Sequence, residues 1–403
     1  MTNVVIIGAG HGAGQAVLSL RQKTFAGNII LIGEEAWYPY QRPPLSKKFL
    51  AGEMPAERLY FKPQDFYDAP NVKVVLDERV TCIDRDRQSV STASGEHFDY
   101  DAAIIATGSR PRILDVPGTD LEGVHYLRGI DDVNGIRGEI AAGKRIAIVG
   151  AGYIGLEVAA VSAQLGLEVT VVEMEDRVMS RVVSPELSSF YESVHRNNGV
   201  DFMLSTSVEG LTGRGRVDGI LLGNGQTLDT DMVVIGIGIV PNMELAKDAS
   251  LDVGDGIIVD DHCRTSDPNL YAIGDCSFHP NSVLDTCLRL ESVHNALEQA
   301  KTAAANICGE DTVYSQVPWF WSDQYDLKLQ IAGISQKYDD VVMRGDPTSK
   351  SFSCLYLRNG KLIAVDAVNA PKDYLQSKAL IADHARIDPA VLADTTIQLK
   401  DAI

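Results

Sequence analysis

Apolar residues in this chain gather into short unbroken runs of strand length, and glycines follow the runs. Continuous apolar strands of this kind are buried on both faces, as in a parallel sheet covered by helices. Arg145 to Val149 is one such run. Gly150, Gly152 and Gly155 follow it in GxGxxG spacing, Leu156 to Leu165 is apolar enough for a packed helix, Gly166 stops that helix, and Leu167 to Val172 is a second strand ending at Glu173. The chain opens the same way: a strand at Asn3 to Ile7, a turn with Gly8, Gly10 and Ala13 or Gly14 at its critical positions, a helix to about Gln22, and a strand from Asn28 to Ile32 that runs into Gly33, Glu34 and Glu35. Asp101 to Gly108 and Asp267 to Asp275 are two more buried strands, the second ending at Gly274 and Asp275. Near the C-terminus, Phe352 to Leu357 and Lys361 to Val368 read as a hairpin about Asn359-Gly360, with helical patterns from about Asp373.

The glycine turns have a physical purpose. They make a tight strand-to-helix turn, let backbone approach a pyrophosphate, and allow close packing of helix on strand, with the phosphates at the helix N-terminus. Glu173 lies about 20 residues past the glycines, where an acid bonds a ribose 2'-hydroxyl. With Glu175 and Asp176 beside it, this acid would repel a 2'-phosphate, which favours NAD over NADP, and Arg177 is the one nearby cation that works against this. In the first unit Glu34 is the expected ribose acid, with Glu35 as the alternative. Two such units in one chain point to two dinucleotides, a resident flavin in the first and a visiting nicotinamide cofactor in the second. Gly108 and the Gly274-Asp275 pair support the flavin: small residues let backbone approach a ligand, and the carboxylate suits a ribityl hydroxyl. His11, inside the first turn, is expected to have a bland capping role.

Composition narrows the partners. The 403 residues exceed one ordinary core, so two or three domains are expected. A net charge of -19 argues against nucleic acid and anionic membrane surfaces. No apolar run reaches the length of a membrane span, and no signal or transit peptide precedes Val4, so the expected address is cytoplasmic. Six scattered cysteines without a CxxC pair exclude simple dithiol, zinc and iron-sulfur sites, and are expected to be reduced and mostly buried.

Further segments carry a family resemblance. RPPLSK at Arg42 to Lys47, ATGSRPR at Ala106 to Arg112, YLRGIDD at Tyr126 to Asp132, GIGIVPN at Gly236 to Asn242, ESVHNALEQA at Glu291 to Ala300 and PWFWSDQYDLKLQIAG at Pro318 to Gly333 occur in order. With them the chain resembles, over nearly its whole length, the flavoprotein ferredoxin reductases that feed bacterial oxygenases, of the putidaredoxin-reductase and biphenyl-dioxygenase-reductase type. The resemblance implies an α/β fold of two Rossmann-like dinucleotide-binding domains, glutathione-reductase-like, plus a C-terminal α+β domain. The FAD domain would be made from 1-110 and 238-316, the NAD domain from 111-237 and the C-terminal domain from 317-403.

Roles implied by the resemblance follow residue by residue. Arg42, Lys47, Thr107, Gly108, Arg128, Asp275 and Val293 match positions that contact FAD. Glu157 falls where the family has an acid near the nicotinamide, and Trp321 matches an aromatic close to the flavin ring. The implied activity takes electrons from NADH through FAD to a two-iron two-sulfur ferredoxin that serves a monooxygenase or dioxygenase, with Lys47, Glu157 and Trp321 nearest the chemistry. Trp321 sits in Trp319-Phe320-Trp321, a density of aromatics that suggests a lid rather than plain core. From Val317 onward ten Lys plus Arg face eleven Asp, so nearly all the negative charge lies earlier in the chain. An acidic ferredoxin is therefore expected to approach cations such as Lys301, Lys328 and Lys361.

Three rivals share the two-fingerprint pattern. A thiol-dependent peroxidase, oxidase or disulfide reductase needs a redox cysteine in the first domain, and residues 34 to 60 contain none, while Cys82 lies in a strand-like context. A rubredoxin- or nitrite-reductase-linked reductase differs only in its acceptor. An apoptosis-inducing-factor-like protein would use NADH to switch conformation, and the lack of a targeting segment and of long insertions argues against it.

Overall fold

The computed structural model describes residues 2–402. The chain divides into two compact units. One comprises the residues up to Arg42, Glu57–Arg110 and Val240–Pro318, and the other Pro43–Ala56, Pro111–Ile239 and the residues from Trp319 onward. Residues 111–239 and those from 319 onward, which the sequence reading places in separate domains apart from the boundary positions 238 and 239, thus fall in one unit, together with residues 43–56.

In the first unit a parallel sheet runs in the order Leu270–Ala272, Ala102–Ile105, Asn3–Ile7, Asn28–Ile32, Val72–Val75. Side chains alternate across a strand, so Val4 and Ile6 meet the helices His11–Gln22 and Val293–Ile307 through Val17, Leu20, Ala300 and Ala304. Val5 and Ile7 face the other way, onto Val80, Ile83, Val90 and Phe98 of a three-stranded antiparallel sheet. Cover on both faces is why the runs are apolar without alternation.

The second unit repeats the plan. Its parallel sheet runs Val200–Met203, Glu168–Val172, Arg145–Val149, Met232–Ile235, Val124–Tyr126. The helix after the glycine turn is Tyr153–Gln164, starting three residues before its apolar run, because Gly152 is already the N-cap and Gly155 belongs to the first turn. One face of the sheet, through Ala147, Val149, Val233 and Ile235, packs on Leu211, Val217, Ile220 and Leu222 of a three-stranded antiparallel sheet. The same unit ends in a five-stranded antiparallel sheet ordered Trp319–Gln324, Leu327–Gly333, Lys361–Val368, Ser351–Arg358, Asp340–Asp346, with the helix Pro371–Ala382 packed on it. The hairpin turn lies where expected. Asn359 and Gly360 both take left-handed φ, 52° and 72°, as a two-residue turn between twisted strands requires.

No helix among the described residues is long and apolar enough to cross a membrane. The six cysteines are unpaired; Cys263, Cys276 and Cys354 are buried, but Cys82 and Cys287 are exposed, so the expectation of mostly buried thiols holds for only half of them. Cys82 is on the strand Val80–Asp84, where it and Thr81 are both exposed between buried Val80 and Ile83, at a break in the pairing register.

A buried acid interrupts the apolar strand Lys361–Val368. Asp366 Oδ2 accepts a hydrogen bond from the Tyr356 hydroxyl at 2.5 Å, and that hydroxyl accepts one from the Ser184 backbone N–H at 3.1 Å. Asp366 Oδ1 has no hydrogen-bond partner among the described residues. Burial pushes the carboxyl up to about 7, against the opposing pull of the Tyr356 hydrogen bond. A folded pKa above the unfolded one means stability that is full below the unfolded value and is lost as pH rises through the folded value. The window therefore runs from 3.8 to about 7, and the shift corresponds to roughly 4 kcal/mol at most. Asp366→Asn has no such proton. Urea unfolding of the two proteins side by side should show the variant gaining stability relative to the parent across this window, and parallel stability–pH curves would contradict the assignment.

Candidate functional site

The first glycine turn is built by close backbone approach. Gly8 has φ 114°, and a Cβ there would lie 2.3 Å from the Ala106 carbonyl oxygen. Gly10 is the helix N-cap, and a Cβ on it would enter open space, where a phosphate can come against backbone. Because the cap is glycine, no side chain takes the first N–H groups of the helix. Ala13 is fully buried in the core, so the third position of the fingerprint is Ala13, while Gly14 packs on Pro39 and Phe61. His11 opens the helix with its ring edge-on to Phe61, 6.5 Å between centroids.

Around this turn the first unit gathers the other residues matched to FAD contacts. Thr107 is clamped by Asn242: its hydroxyl donates to the Asn242 carbonyl at 2.8 Å, and the Asn242 side-chain amide donates back to the Thr107 carbonyl at 2.9 Å. Gly108 follows with φ 63°. Asp275 accepts from the Ser109 hydroxyl at 2.7 Å, and Gly274 donates its N–H to Gln299 Oε1 at 2.7 Å. Val293 is the first residue of its helix, after the N-cap Ser292. Burial pulls the Arg42 pKa down, but Tyr40, Glu35 and Asp275 outweigh it and the value is raised. Glu35 accepts from Tyr40 at 2.5 Å and also from Arg42, whereas Glu34 is exposed and 3.6 Å from Arg79.

The second unit has the tighter turn. Gly150 has φ 105°, and a Cβ there would lie 2.5 Å from the Gly236 carbonyl oxygen; at Gly155 it would lie 2.0 Å from that of Gly150. Gly152, the N-cap, again opens on free space. Glu173 is held against the turn, Oε2 accepting from Ala151 N–H at 2.6 Å and Oε1 from Glu175 N–H at 3.0 Å. A carboxylate has about four acceptor sites, so it retains capacity for ribose hydroxyls. Arg177 is committed elsewhere: it donates to the carbonyls of Ser180 at 2.6 Å and Val183 at 3.0 Å and to the Ser188 hydroxyl at 2.9 Å. The cation that sequence set against an NAD preference is thus turned away by three hydrogen bonds. Both turns fit a dinucleotide, with a cradle that a Cβ would fill and a helix start without a side-chain cap.

Glu157, on the helix Tyr153–Gln164, is only 2 % exposed. Its Oε2 accepts from Lys47 Nζ at 2.7 Å and from the Ser46 hydroxyl, and its Oε1 accepts from the Ser322 hydroxyl at 2.6 Å. An unpaired charge so deeply buried would be costly, and Lys47 offsets it. Lys47 and Glu157, separated by 110 positions, are thereby brought together. Trp321 is half-buried on the strand Trp319–Gln324, 5.4 Å from the Trp319 ring centroid, so it is not part of the fully buried core. Arg128 precedes a helix whose Asp132 accepts from the backbone N–H of Arg128 and Gly129 at 2.9 and 2.7 Å. Lys301 pairs with Glu298 at 2.6 Å, which offsets its charge, Lys328 is exposed and Lys361 half-buried.

Sequence reasoning missed Ser46, Ser322, Asn242 and Ser109, whose hydroxyls or amide hold the residues it did select. All four lie within the matched segments, and Ser109 even follows the selected Gly108, but a serine or asparagine gains a role only when its partner is known.

Two family models cover the chain: pyridine nucleotide-disulphide oxidoreductase over residues 2–300 and reductase C-terminal over residues 319–403. The chain is 44% identical over 400 residues to the 5,5'-dehydrodivanillate O-demethylase ferredoxin reductase subunit of a Sphingobium species, covering 98% of this chain and 97% of that protein. It is 41% identical over 407 residues to the putidaredoxin reductase of Pseudomonas putida, covering 100% and 96%. The crystal structure of the covalent putidaredoxin reductase–putidaredoxin complex superposes with a TM-score of 0.97 at 40% identity, covering 100% of this chain and 98% of that one.

The geometry at Glu173 generates a test. NADH should reduce the flavin at least tenfold faster than NADPH at equal concentration, since a 2'-phosphate would meet the Glu173 carboxylate with Arg177 engaged elsewhere, a repulsion on the order of several kcal/mol. Glu173→Gln should narrow the ratio. Stopped-flow rates that are equal for the two nucleotides in the unaltered protein would remove this role.

Proposed function

Because the chain belongs to the pyridine nucleotide-disulphide oxidoreductase family, we propose that it is a flavoprotein reductase passing electrons from NADH through FAD to a two-iron two-sulfur ferredoxin that serves a monooxygenase or dioxygenase. The observation that carries this reading is the pair of glycine turns, one in each unit, each open at its second glycine and tight at its first. When bound, FAD takes up two electrons together and gives them out singly, chemistry that no side chain of this protein supplies.

The residues hold, orient and shield. In the first unit the backbone at Gly8 and Gly10, with Ala13 behind it, receives the FAD pyrophosphate. Glu34 is the acid we assign to the FAD ribose, since Glu35 already accepts from Tyr40 and Arg42. Arg42, Thr107, Gly108, Gly274, Asp275 and Val293 complete that set, with Asp275 oriented by its bond from Ser109. In the second unit Gly150, Gly152 and Gly155 receive the NADH pyrophosphate and Glu173 its ribose. Glu157 orients Lys47 through their 2.7 Å contact, so that the ammonium keeps one place during hydride transfer. To Arg128 we assign an FAD contact, and to Trp321 the exclusion of water. All six cysteines are unpaired, which suits the reducing cytoplasm, where we place the protein.

Anaerobic reduction with NADH, followed by the addition of a two-iron two-sulfur ferredoxin, rubredoxin or hydrogen peroxide, tests the reading. The ferredoxin should be reduced fastest, and a faster reaction with peroxide would overturn the proposal. In the same assay Trp321→Ala should keep its FAD and its rate of reduction by NADH but pass electrons to the ferredoxin more slowly. Plain loss of packing would instead appear as instability of order 3 kcal/mol.

A further inference from the structure

Behind the Lys47–Glu157 pair lies a chain of buried polar side chains that the reaction as described does not use. The Tyr325 hydroxyl is 3.2 Å from His195 Nδ1; His195 Nε2 is 2.8 Å from Gln324 Oε1; Gln324 Nε2 is 3.2 Å from Ser322 Oγ; and Ser322 Oγ is 2.6 Å from Glu157 Oε1. His195, Ser322, Gln324 and Glu157 are each no more than 2 % exposed. The links are long in sequence, 165 positions between Ser322 and Glu157 and 129 between His195 and Gln324, so only the folded second unit assembles them.

The donors run in one direction. Gln324 Oε1 can only accept, so His195 Nε2 carries the proton, and a neutral ring then leaves Nδ1 to accept from Tyr325. Burial pulls the His195 pKa down to about 4, against the small opposing effect of Gln324, which keeps the ring neutral at working pH. The Gln324 amide then donates to Ser322, and the Ser322 hydroxyl is left to donate to Glu157. Every N–H and O–H dipole points toward the carboxylate, the arrangement in which successive hydrogen bonds strengthen one another. The far end is held by the backbone. Tyr325 has φ 55° in the turn joining Trp319–Gln324 to Leu327–Gly333, a left-handed conformation that costs a bulky residue stability, and its ring lies 5.0 Å from that of His195.

We propose that His195, Gln324 and Ser322 are positioning residues for the reductase, a one-way hydrogen-bond relay that fixes the Glu157 carboxylate and through it the Lys47 ammonium. The inference rests on the reading that the Lys47–Glu157 pair acts in hydride transfer. With the relay intact, both Glu157 oxygens are held, Oε1 by Ser322 and Oε2 by Ser46 and Lys47, so the carboxylate cannot rotate away from the ammonium. With it broken, Oε1 loses its aimed donor and the Lys47 position loosens, although neither residue has been altered.

Two measurements test this on the FAD-loaded protein. Nitrogen-15 NMR of histidine-labelled protein should show His195 as the neutral Nε2–H tautomer between about pH 6 and pH 8. A protonated ring or the Nδ1–H tautomer would overturn the relay whatever the activity. In stopped-flow experiments, Gln324→Met and His195→Leu should each slow flavin reduction by NADH about tenfold at saturating NADH with little change in NADH affinity. His195→Gln, which keeps a donor near the Nε2 position, should recover most of the rate, a recovery that a merely structural role does not predict. Glu157→Gln separates the two layers of the argument. If it is slow while Gln324→Met and His195→Leu match the parent, the relay is wrong and the role of Glu157 stands. If Glu157→Gln itself matches the parent, the reading of Glu157 falls and the relay with it.

Discussion

The absence of a side chain at a few positions is the constraint from which the rest of this structure follows. At Gly155 a single added carbon would lie 2.0 Å from a backbone oxygen, and at Gly8 and Gly150 the added carbon would be 2.3 and 2.5 Å from one. These contacts let each helix start directly against the end of its strand and aim its first N–H groups at a common point. The strand has to be buried on both faces to hold such a turn rigid, which the covering helices and the small antiparallel sheets achieve in both units. The glycines therefore serve the fold and the ligand through one geometry.

A second constraint acts in the unit that carries the central turn. Glu157 is an acid placed inside a packed helix face, and a buried carboxylate is tolerated only with its acceptors filled. Its donors come from two separate stretches of chain, Ser46 and Lys47 from the short segment 43–56, and Ser322 from the last sheet. Satisfying one carboxylate thus ties together segments that sequence reading had assigned to three different domains. A buried ion pair adds little net stability over apolar residues of the same volume, but removing one partner alone leaves an uncompensated buried charge.

Much of the fold was legible because it depends on local signals. The strands Asn3–Ile7, Asn28–Ile32 and Arg145–Val149 match their apolar runs residue for residue, and Asn359-Gly360 marks its hairpin, since these are matters of burial and φ. Helix starts were less legible: Tyr153 and Ile154 look like turn residues until the cap at Gly152 is seen. Around the candidate site, the closeness of Glu173 to its turn was legible from spacing, and side-chain partners remote in sequence were not. Nothing near Arg177 in sequence indicates that it donates to Val183 and Ser188, and nothing near Ser322 indicates Glu157. Asp366 stands out in an apolar strand, but its partner Tyr356 belongs to the neighbouring strand, and only pairing brings the two together.

In the proposed function the two turns hold different dinucleotides, FAD in the first unit and NADH in the second. FAD content of purified Gly10→Val and Gly152→Val, read from flavin absorbance against protein, tests it most directly. Gly152→Val should keep stoichiometric FAD that NADH reduces poorly, while Gly10→Val should be obtained without flavin. Full FAD in Gly10→Val together with flavin loss in Gly152→Val would contradict it.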